Sequence, residues 1–354
     1  MRSDARAYLN HPQSPVHLSL HQPIVMDKVQ SKFKTTRRDF KYHYLFSPAL
    51  PRKPTLLFIH GFPSTSYDWY RQINYFQPEG YGLVVPDLLG FGQTEPKSNN
   101  PADFLHTAIG QDLLDILDEE GVKNVIAIGH DWGSAIASIL SVKHSDRFLG
   151  FVFTAVTYYP PSVFPPLDLI FEFQRQRYGR PLMGYWKFFG KDDAARLIEA
   201  NIDSFLDVVY PADPEVWKTY INLPDALEVF VRQQGRLSRA PYVTPEHYEQ
   251  IKASLLQGGL SSPLNWYKSN LQGVNNGIRT TVTEEDINIR KPAFMAVAKY
   301  DFVCFREFAI TEIEKYAKGG LTTVEFDVGH WPQLEKAEEY NEALDRWMMN
   351  TFDL

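Results

Sequence analysis

The sequence predicts an α/β fold, with a mainly parallel sheet, flanking helices and an inserted helical cap. Two observations carry this. Short, wholly apolar runs alternate with amphipathic helical stretches, as strands buried on both faces of a parallel sheet alternate with the helices covering them. The alternation stops over residues 158–282, where prolines, aromatics and helical segments replace it, and it resumes towards the C-terminus.

Taken in order, residues 1–25 are polar and read as a poorly ordered N-terminal extension, with ordered-looking sequence from Met26. Leu56-Leu57-Phe58-Ile59 is the first apolar run and Gly82-Leu83-Val84-Val85-Pro86-Asp87 the second. Between Pro101 and Glu120, Phe104, Ile109, Leu113, Leu114 and Leu117 fall on one helical face. Val125-Ile126-Ala127-Ile128 is a third strand, Ser134 to Val142 a helix of small residues, and Phe151 to Val156 a fourth strand. After the interruption come strands at Ala293 to Ala298 and Thr322 to Phe326, and a helix from Glu335 to Met348. The expected division is a sheet domain of residues 26–157 plus 283–354, with residues 158–282 as the cap.

Composition narrows the function. The chain has 354 residues, 44% hydrophobic and 22% charged, the balance of an ordinary globular protein rather than a disordered or fibrous one. Its net charge of −7 gives no general attraction to nucleic acid or anionic lipid. Cys304, the single cysteine, excludes an intramolecular disulfide and a zinc site built from thiolates. The first residues, broken by His11, Pro12 and Gln13, do not read as a secretory signal. No run approaches the ~20 apolar residues of a membrane span, so a cytoplasmic location is expected.

Between the third strand and the small-residue helix stands Gly129-His130-Asp131-Trp132-Gly133. Flanking glycines allow a turn sharp enough to lift the central side chain above the sheet. The adjacent helix N-terminus and backbone N–H groups favour an anion there. A carboxylate is already ionised at neutral pH and attacks without first losing a proton. An Asp in this place can also simply cap the helix; the whole pentapeptide in a strand–turn–helix setting favours a nucleophile. His60-Gly61-Phe62-Pro63 follows the first strand. Asp301 stands after strand Ala293–Ala298, and His330 after strand Thr322–Phe326. Strand C-terminal ends are where open α/β sheets build their sites. Asp286 and Asp327 are rivals to Asp301, but one sits in a charged loop and the other in the His330 loop itself. No acidic residue immediately follows strand Phe151–Val156.

Together, His60-Gly61-Phe62-Pro63, Asp87-Leu88-Leu89-Gly90-Phe91-Gly92, Gly129-His130-Asp131-Trp132-Gly133, Asn265-Trp266-Tyr267 and Gly329-His330-Trp331 resemble the α/β-hydrolase-type epoxide hydrolases, in particular their soluble eukaryotic and fungal-like branch. The resemblance runs over residues 26–350 and implies the α/β-hydrolase fold. It implies Asp131 as nucleophile, His330 as base and Asp301 as its acid partner. Tyr267, in the Asn-Trp-Tyr motif, and Tyr185, in Gly184-Tyr185-Trp186, are implied as donors to the epoxide oxygen. Backbone N–H groups of Phe62 and Trp132 are implied as the oxyanion hole. Phe62, Trp132, Trp186 and Trp331 are expected to touch the substrate. No metal or organic cofactor is called for; the expected partners are a small apolar epoxide and water. Ser134 replaces a glycine common in relatives, and the N-terminal extension has no counterpart.

The chemistry suits these residue types. Phenols with a pKa near 10 are protonated at neutral pH and can donate to an oxygen becoming an alkoxide. The rival enzyme class is a haloalkane or haloacid dehalogenase, with the same Asp nucleophile and Trp132 as halide donor; Phe62 stands where such enzymes tend to place a polar halide ligand. A non-catalytic ligand receptor on a hydrolase scaffold is a rival of another kind, and the intact Asp131, Asp301 and His330 argue against it.

Overall fold

A computed structural model describes residues 28–352 and 354. The expectation for residues 1–25 lies outside them. Eight strands form one sheet: β1 (Gln30–Thr35), β2 (Lys41–Ser47), β3 (Thr55–Ile59), β4 (Gly82–Pro86), β5 (Val125–His130), β6 (Phe148–Thr154), β7 (Ala293–Ala298) and β8 (Leu321–Phe326). Their order is β1-β2-β4-β3-β5-β6-β7-β8, antiparallel from β1 to β4 across β2 and parallel thereafter.

The alternation of side chains across the pleat splits each inner strand between two cores. Leu57, Ile59, Val125, Ala127, Met295 and Val297 face one side, while Leu56, Phe58, Ile126, Ile128, Phe294 and Ala296 face the other. Helices α1 (Tyr70–Phe76), α2 (His106–Glu119) and α3 (Trp132–Lys143) lie between successive strands. Between β6 and β7 come α4 (Leu167–Tyr178), α5 (Tyr185–Phe189), α6 (Ala194–Ala200), α7 (Ile202–Val209), α8 (Trp217–Tyr220), α9 (Ala226–Arg232), α10 (Pro245–Gly258) and α11 (Asn265–Leu271). Then follow α12 (Arg306–Tyr316), α13 (Pro332–Glu335) and α14 (Ala337–Phe352). Trp186, Phe189, Phe205 and Trp266 of the inserted helices share a core with Leu57 and Ile59 of the sheet.

Four local features differ from the expectation. Strands β1 and β2 precede the first apolar run. β1 is an exposed edge reading Gln-Ser-Lys-Phe-Lys-Thr, and an antiparallel edge wetted on one face carries no apolar run to betray it. The helix expected from Pro101 begins as a 3-10 turn and is interrupted at Leu105, whose extended backbone separates it from α2. β6 starts at Phe148 and ends at Thr154, because Ala155 turns at a φ of 61°. The last helix is divided into α13 and α14 at Lys336, whose φ of −126° and ψ of 50° are not helical. Among the described residues, no helix is long and apolar enough to cross a membrane.

Candidate active site

Asp131 lies at the junction of β5 and α3 with φ 52° and ψ −119°. For a non-glycine residue this is a strained backbone, costing about 1–3 kcal/mol. Neighbouring glycines make the turn possible by leaving room. A methyl group on Gly133 would overlap the Ile59 carbonyl, and one on Gly61 would overlap the Asp131 carboxylate.

The Phe62 N–H, in the turn after β3, donates to Asp131 Oδ1 at 2.9 Å. The Trp132 N–H opens α3, where no intrahelical acceptor is available. His60 fixes the Phe62 turn from behind. Its Nδ1–H donates to the Gly61 carbonyl at 2.8 Å, and its Nε2 accepts from the Leu88 N–H at 2.9 Å. Burial lowers the pKa of His60, in keeping with a neutral ring that has one donor and one acceptor.

His330 lies in the loop after β8 and Asp301 in the loop after β7. His330 Nδ1 donates to Asp301 Oδ2 at 2.6 Å, and its Nε2 is 3.7 Å from Asp131 Oδ2. Asp301 Oδ1 accepts from the N–H groups of Val303 and Cys304 at 2.8 and 3.1 Å, which holds the carboxylate in place. The other two acids lie elsewhere: Asp286 is bonded to Thr283, and Asp327 to Lys299 at the surface. His130 donates from Nε2 to the His330 carbonyl at 2.9 Å and so ties the His330 loop to the elbow.

The electrostatics follow from this packing. Burial disfavours charge on His330, but Asp301 and Asp131 on either side outweigh it and raise its pKa to about 10. For Asp131, burial pushes upward while His330, His130 and the Phe62 N–H hold the carboxyl below its usual range. Tyr185 and Tyr267 are both raised, first by burial and then by neighbouring charge, Asp131 among the causes, so both remain protonated donors.

A cavity of about 320 Å³ is lined by Asp131, Trp132, Tyr185 and Trp186. The rings of Tyr185 and Tyr267 are 5.7 Å apart, and Tyr267 lies edge-on to Trp132 at 5.2 Å. Three residues expected at the substrate do not line this cavity with their side chains. Phe62 is boxed in by Phe91, Phe189, Phe205 and Tyr267. Tyr267 is enclosed by Phe62, Trp132, Trp186 and Phe189. Trp331 packs on His130 and Tyr210 and, with His330, lines a separate space of about 200 Å³; His330 is not among the residues lining the larger cavity.

Sequence reading gave no role to His106, Asn270 and Asn275, which also line the larger cavity. Nothing in their local sequence marks them, because the approach of α2 to α11 is a tertiary event. Among the described residues, no group of three or more His, Cys, Asp or Glu side chains is arranged to hold a metal ion.

A sheet of this order, with an acidic elbow at a strand end and an Asp–His pair at two others, defines a class. The chain belongs to the alpha/beta hydrolase fold family, whose pattern it matches over residues 54–337. Within that class it is similar to the bifunctional epoxide hydrolase 2 of Sus scrofa, 23% identical over 83% of this chain and 51% of the relative. It is 27% identical to an epoxide hydrolase of Caballeronia sordidicola over 83% of this chain and 87% of the relative. The chain thus spans about half the length of the bifunctional relative. Epoxide Hydrolase A of Mycobacterium thermoresistibile shares the fold at a TM-score of 0.75 and 22% identity, over 90% of this chain and 97% of that one. An epoxide hydrolase from an endophytic Streptomyces does so at 0.76 and 21%, over 91% and 96%.

Proposed function

We propose that the protein is an epoxide hydrolase that converts an apolar epoxide and water to a vicinal diol. The observation that carries this is the Asp131 carboxylate at a cavity that Tyr185 also lines, with Tyr267 buried directly behind against Tyr185 and Trp132, both phenols being protonated. An Asp–His pair alone suits many hydrolases, whereas paired phenols near the nucleophile suit an opening epoxide oxygen.

In the first step an Asp131 oxygen attacks an epoxide carbon from the side opposite its C–O bond. That bond breaks, and a tyrosine hydroxyl gives its proton to the departing oxygen. The result is a hydroxyalkyl ester on Asp131. In the second step His330, oriented by Asp301, takes a proton from water as the water oxygen attacks the ester carbonyl. The N–H groups of Phe62 and Trp132 stabilise the tetrahedral oxyanion, as donors fixed in advance do. On collapse the proton of the added hydroxyl passes to the departing alkoxide, so the diol leaves and Asp131 is again a carboxylate, and the proton on His330 restores the tyrosine through water.

The two steps suit the charges. His330 has a raised pKa because it stands between two carboxylates. Esterification removes the Asp131 charge, so the imidazole loses one of its supports and becomes a neutral base when the water step needs one.

A panel of styrene-like and fatty-acid epoxides assayed for diol tests the reading. Diol formation supports it. Halide release from haloalkanes without diol from any epoxide overturns it in favour of a dehalogenase, and turnover of neither class overturns it in favour of a receptor.

A further inference from the structure

The larger cavity is not uniformly apolar. Most of its wall is hydrocarbon and aromatic, with Ile139, Val156, Phe164, Ile278 and Val303 among the lining residues. Against this, three polar side chains outside the proposed chemistry line the same cavity and are linked to each other: His106, Asn270 and Asn275. The His106 N–H of the backbone donates to Asn275 Oδ1 at 2.8 Å, and Asn275 Nδ2 donates to Asn270 Oδ1 at 3.4 Å. Asn270 Nδ2 donates to the Trp266 carbonyl at 3.0 Å. Each side-chain amide therefore has a second N–H with no partner among the described residues.

His106 is the unusual member. It is 92% buried, from a relative exposure of 8%, and lies against Trp132 and Trp266 with ring centroids 5.7 and 6.0 Å away. Its Nε2 is enclosed without a partner, and neither ring nitrogen is hydrogen-bonded among the described residues. Burial lowers its pKa to about 4, so at neutral pH the ring is uncharged and offers one N–H donor and one acceptor. A buried donor left unmatched costs about 1–3 kcal/mol, which a ligand atom placed there would recover. Other buried histidines of the described residues have at least one bonded ring nitrogen: His60 to Gly61 and Leu88, His43 to Asp87, His130 to the His330 carbonyl, His247 to Asp68, although Nδ1 of His130 and of His247 is also without a partner.

We infer that His106, with Asn270 and Asn275, forms a polar subsite that receives a neutral oxygen of the substrate, a hydroxyl or a carbonyl, carried on the apolar skeleton away from the epoxide ring. This rests on the epoxide reading and names the substrate class within it: an oxygenated epoxide rather than a plain hydrocarbon one. A hydroxyl can accept from an amide N–H or from the imidazole and donate to its other nitrogen. A carboxylate is the wrong ligand here, because the cluster holds no cation and the uncharged imidazole supplies none. Asn270 and Asn275 position as well as bind, so His106 is the residue to change.

The test compares 1,2-epoxyoctane with isomers bearing one hydroxyl at carbon 5, 6, 7 or 8, and with the epoxide of an ω-unsaturated carboxylic acid of equal length. In the unmutated protein at least one hydroxylated isomer is expected to exceed 1,2-epoxyoctane in kcat/KM by about tenfold, mainly through KM, since one matched buried hydrogen bond discriminates by that order. In His106→Phe the ratio should fall to near one, and in His106→Gln, which keeps a donor and an acceptor, part of it should return. The acid should show no such advantage. Equal kcat/KM for all isomers in the unmutated protein, or a ratio untouched in a folded His106→Phe, overturns the subsite. Calorimetric binding of 1,2-octanediol against the corresponding triols reads the same preference without turnover. A chain that makes no diol yet prefers a triol through His106 keeps the subsite and overturns the epoxide reading, whereas diol formation without any preference does the reverse.

Discussion

His330 is bonded to Asp301 at 2.6 Å through Nδ1 and stands 3.7 Å from Asp131 through Nε2. The imidazole is thus held by its orienting acid and only faces the proposed nucleophile, at a distance beyond a hydrogen bond. In a serine hydrolase the base must take the nucleophile's proton before attack. A carboxylate has none to give, so under the proposed mechanism the stand-off costs the first step nothing, and Nε2, near Asp131 but not bonded to it, is free to serve the water of the second.

Loss of His330 should therefore separate the two steps. His330→Gln is expected to form the ester and fail to hydrolyse it. Intact-protein mass spectrometry should find an added mass equal to one epoxide, and peptide mapping should place it on Asp131. A folded variant that stays unmodified under saturating epoxide, when the unmutated protein consumes that epoxide, would falsify the covalent mechanism.

The pH dependence has a defined sign. A histidine raised from 6.5 to about 10 binds its proton more tightly in the folded state. Its contribution to stability is full below pH 6.5 and is lost as pH climbs towards 10. Thermal melts of the unmutated protein should thus fall more steeply between these values than those of His330→Gln. The ester lacks the Asp131 charge, so single-turnover ester hydrolysis should rise with pH through an apparent pKa below 10. A melt slope unchanged by the substitution would contradict the ion pairing.

The two tyrosines predict a different kinetic pattern. Tyr185→Phe or Tyr267→Phe should slow ester formation more than ester hydrolysis, because only the first step expels an oxygen. One donor removed of two should cost about tenfold to a hundredfold, on the scale of a single transition-state hydrogen bond. Removing both should cost more than either alone. Stopped-flow quenching of tryptophan fluorescence measures the first step, and equal slowing of both steps would remove the assigned role.

How much of this could be read in advance depends on where each residue's neighbours come from. Asp131, Asp301 and His330 each lie at or a few residues beyond the C-terminal end of a strand, and parallel strands bring those ends to one edge, so their convergence was legible in the chain. Phe62 was legible as a backbone donor for the same reason. Its ring was not, because the four aromatics around it include Phe189 and Phe205 from the inserted helices. Trp331 shows the limit most clearly. It adjoins His330 in sequence, yet the two rings meet at 89°, and Trp331 packs on Tyr210 rather than lining the larger cavity. The edge strand β1 and the cluster at His106 were equally hidden, the former by its polar, exposed sequence and the latter by tertiary packing.

A last prediction concerns the tie between the inserted helices and the sheet. His247, on α10, meets Asp68, in the 3-10 turn Ser66–Trp69, at 2.5 Å between Nε2 and Oδ1. Both side chains are almost wholly buried, and Asp68 Oδ2 and His247 Nδ1 have no further partner. Such a pair gains little over apolar packing, since desolvation offsets most of the attraction, but breaking it strands a buried charge. His247→Leu should lower stability by about 3–5 kcal/mol in denaturant unfolding. Asp68→Leu combined with His247→Leu should lose less than His247→Leu alone, because no charge is left without a partner. The ordering of the two variants is the test. If the double variant is the less stable, the pair contributes through its attraction, and α10 is held to the sheet by charge rather than by the hydrocarbon around it.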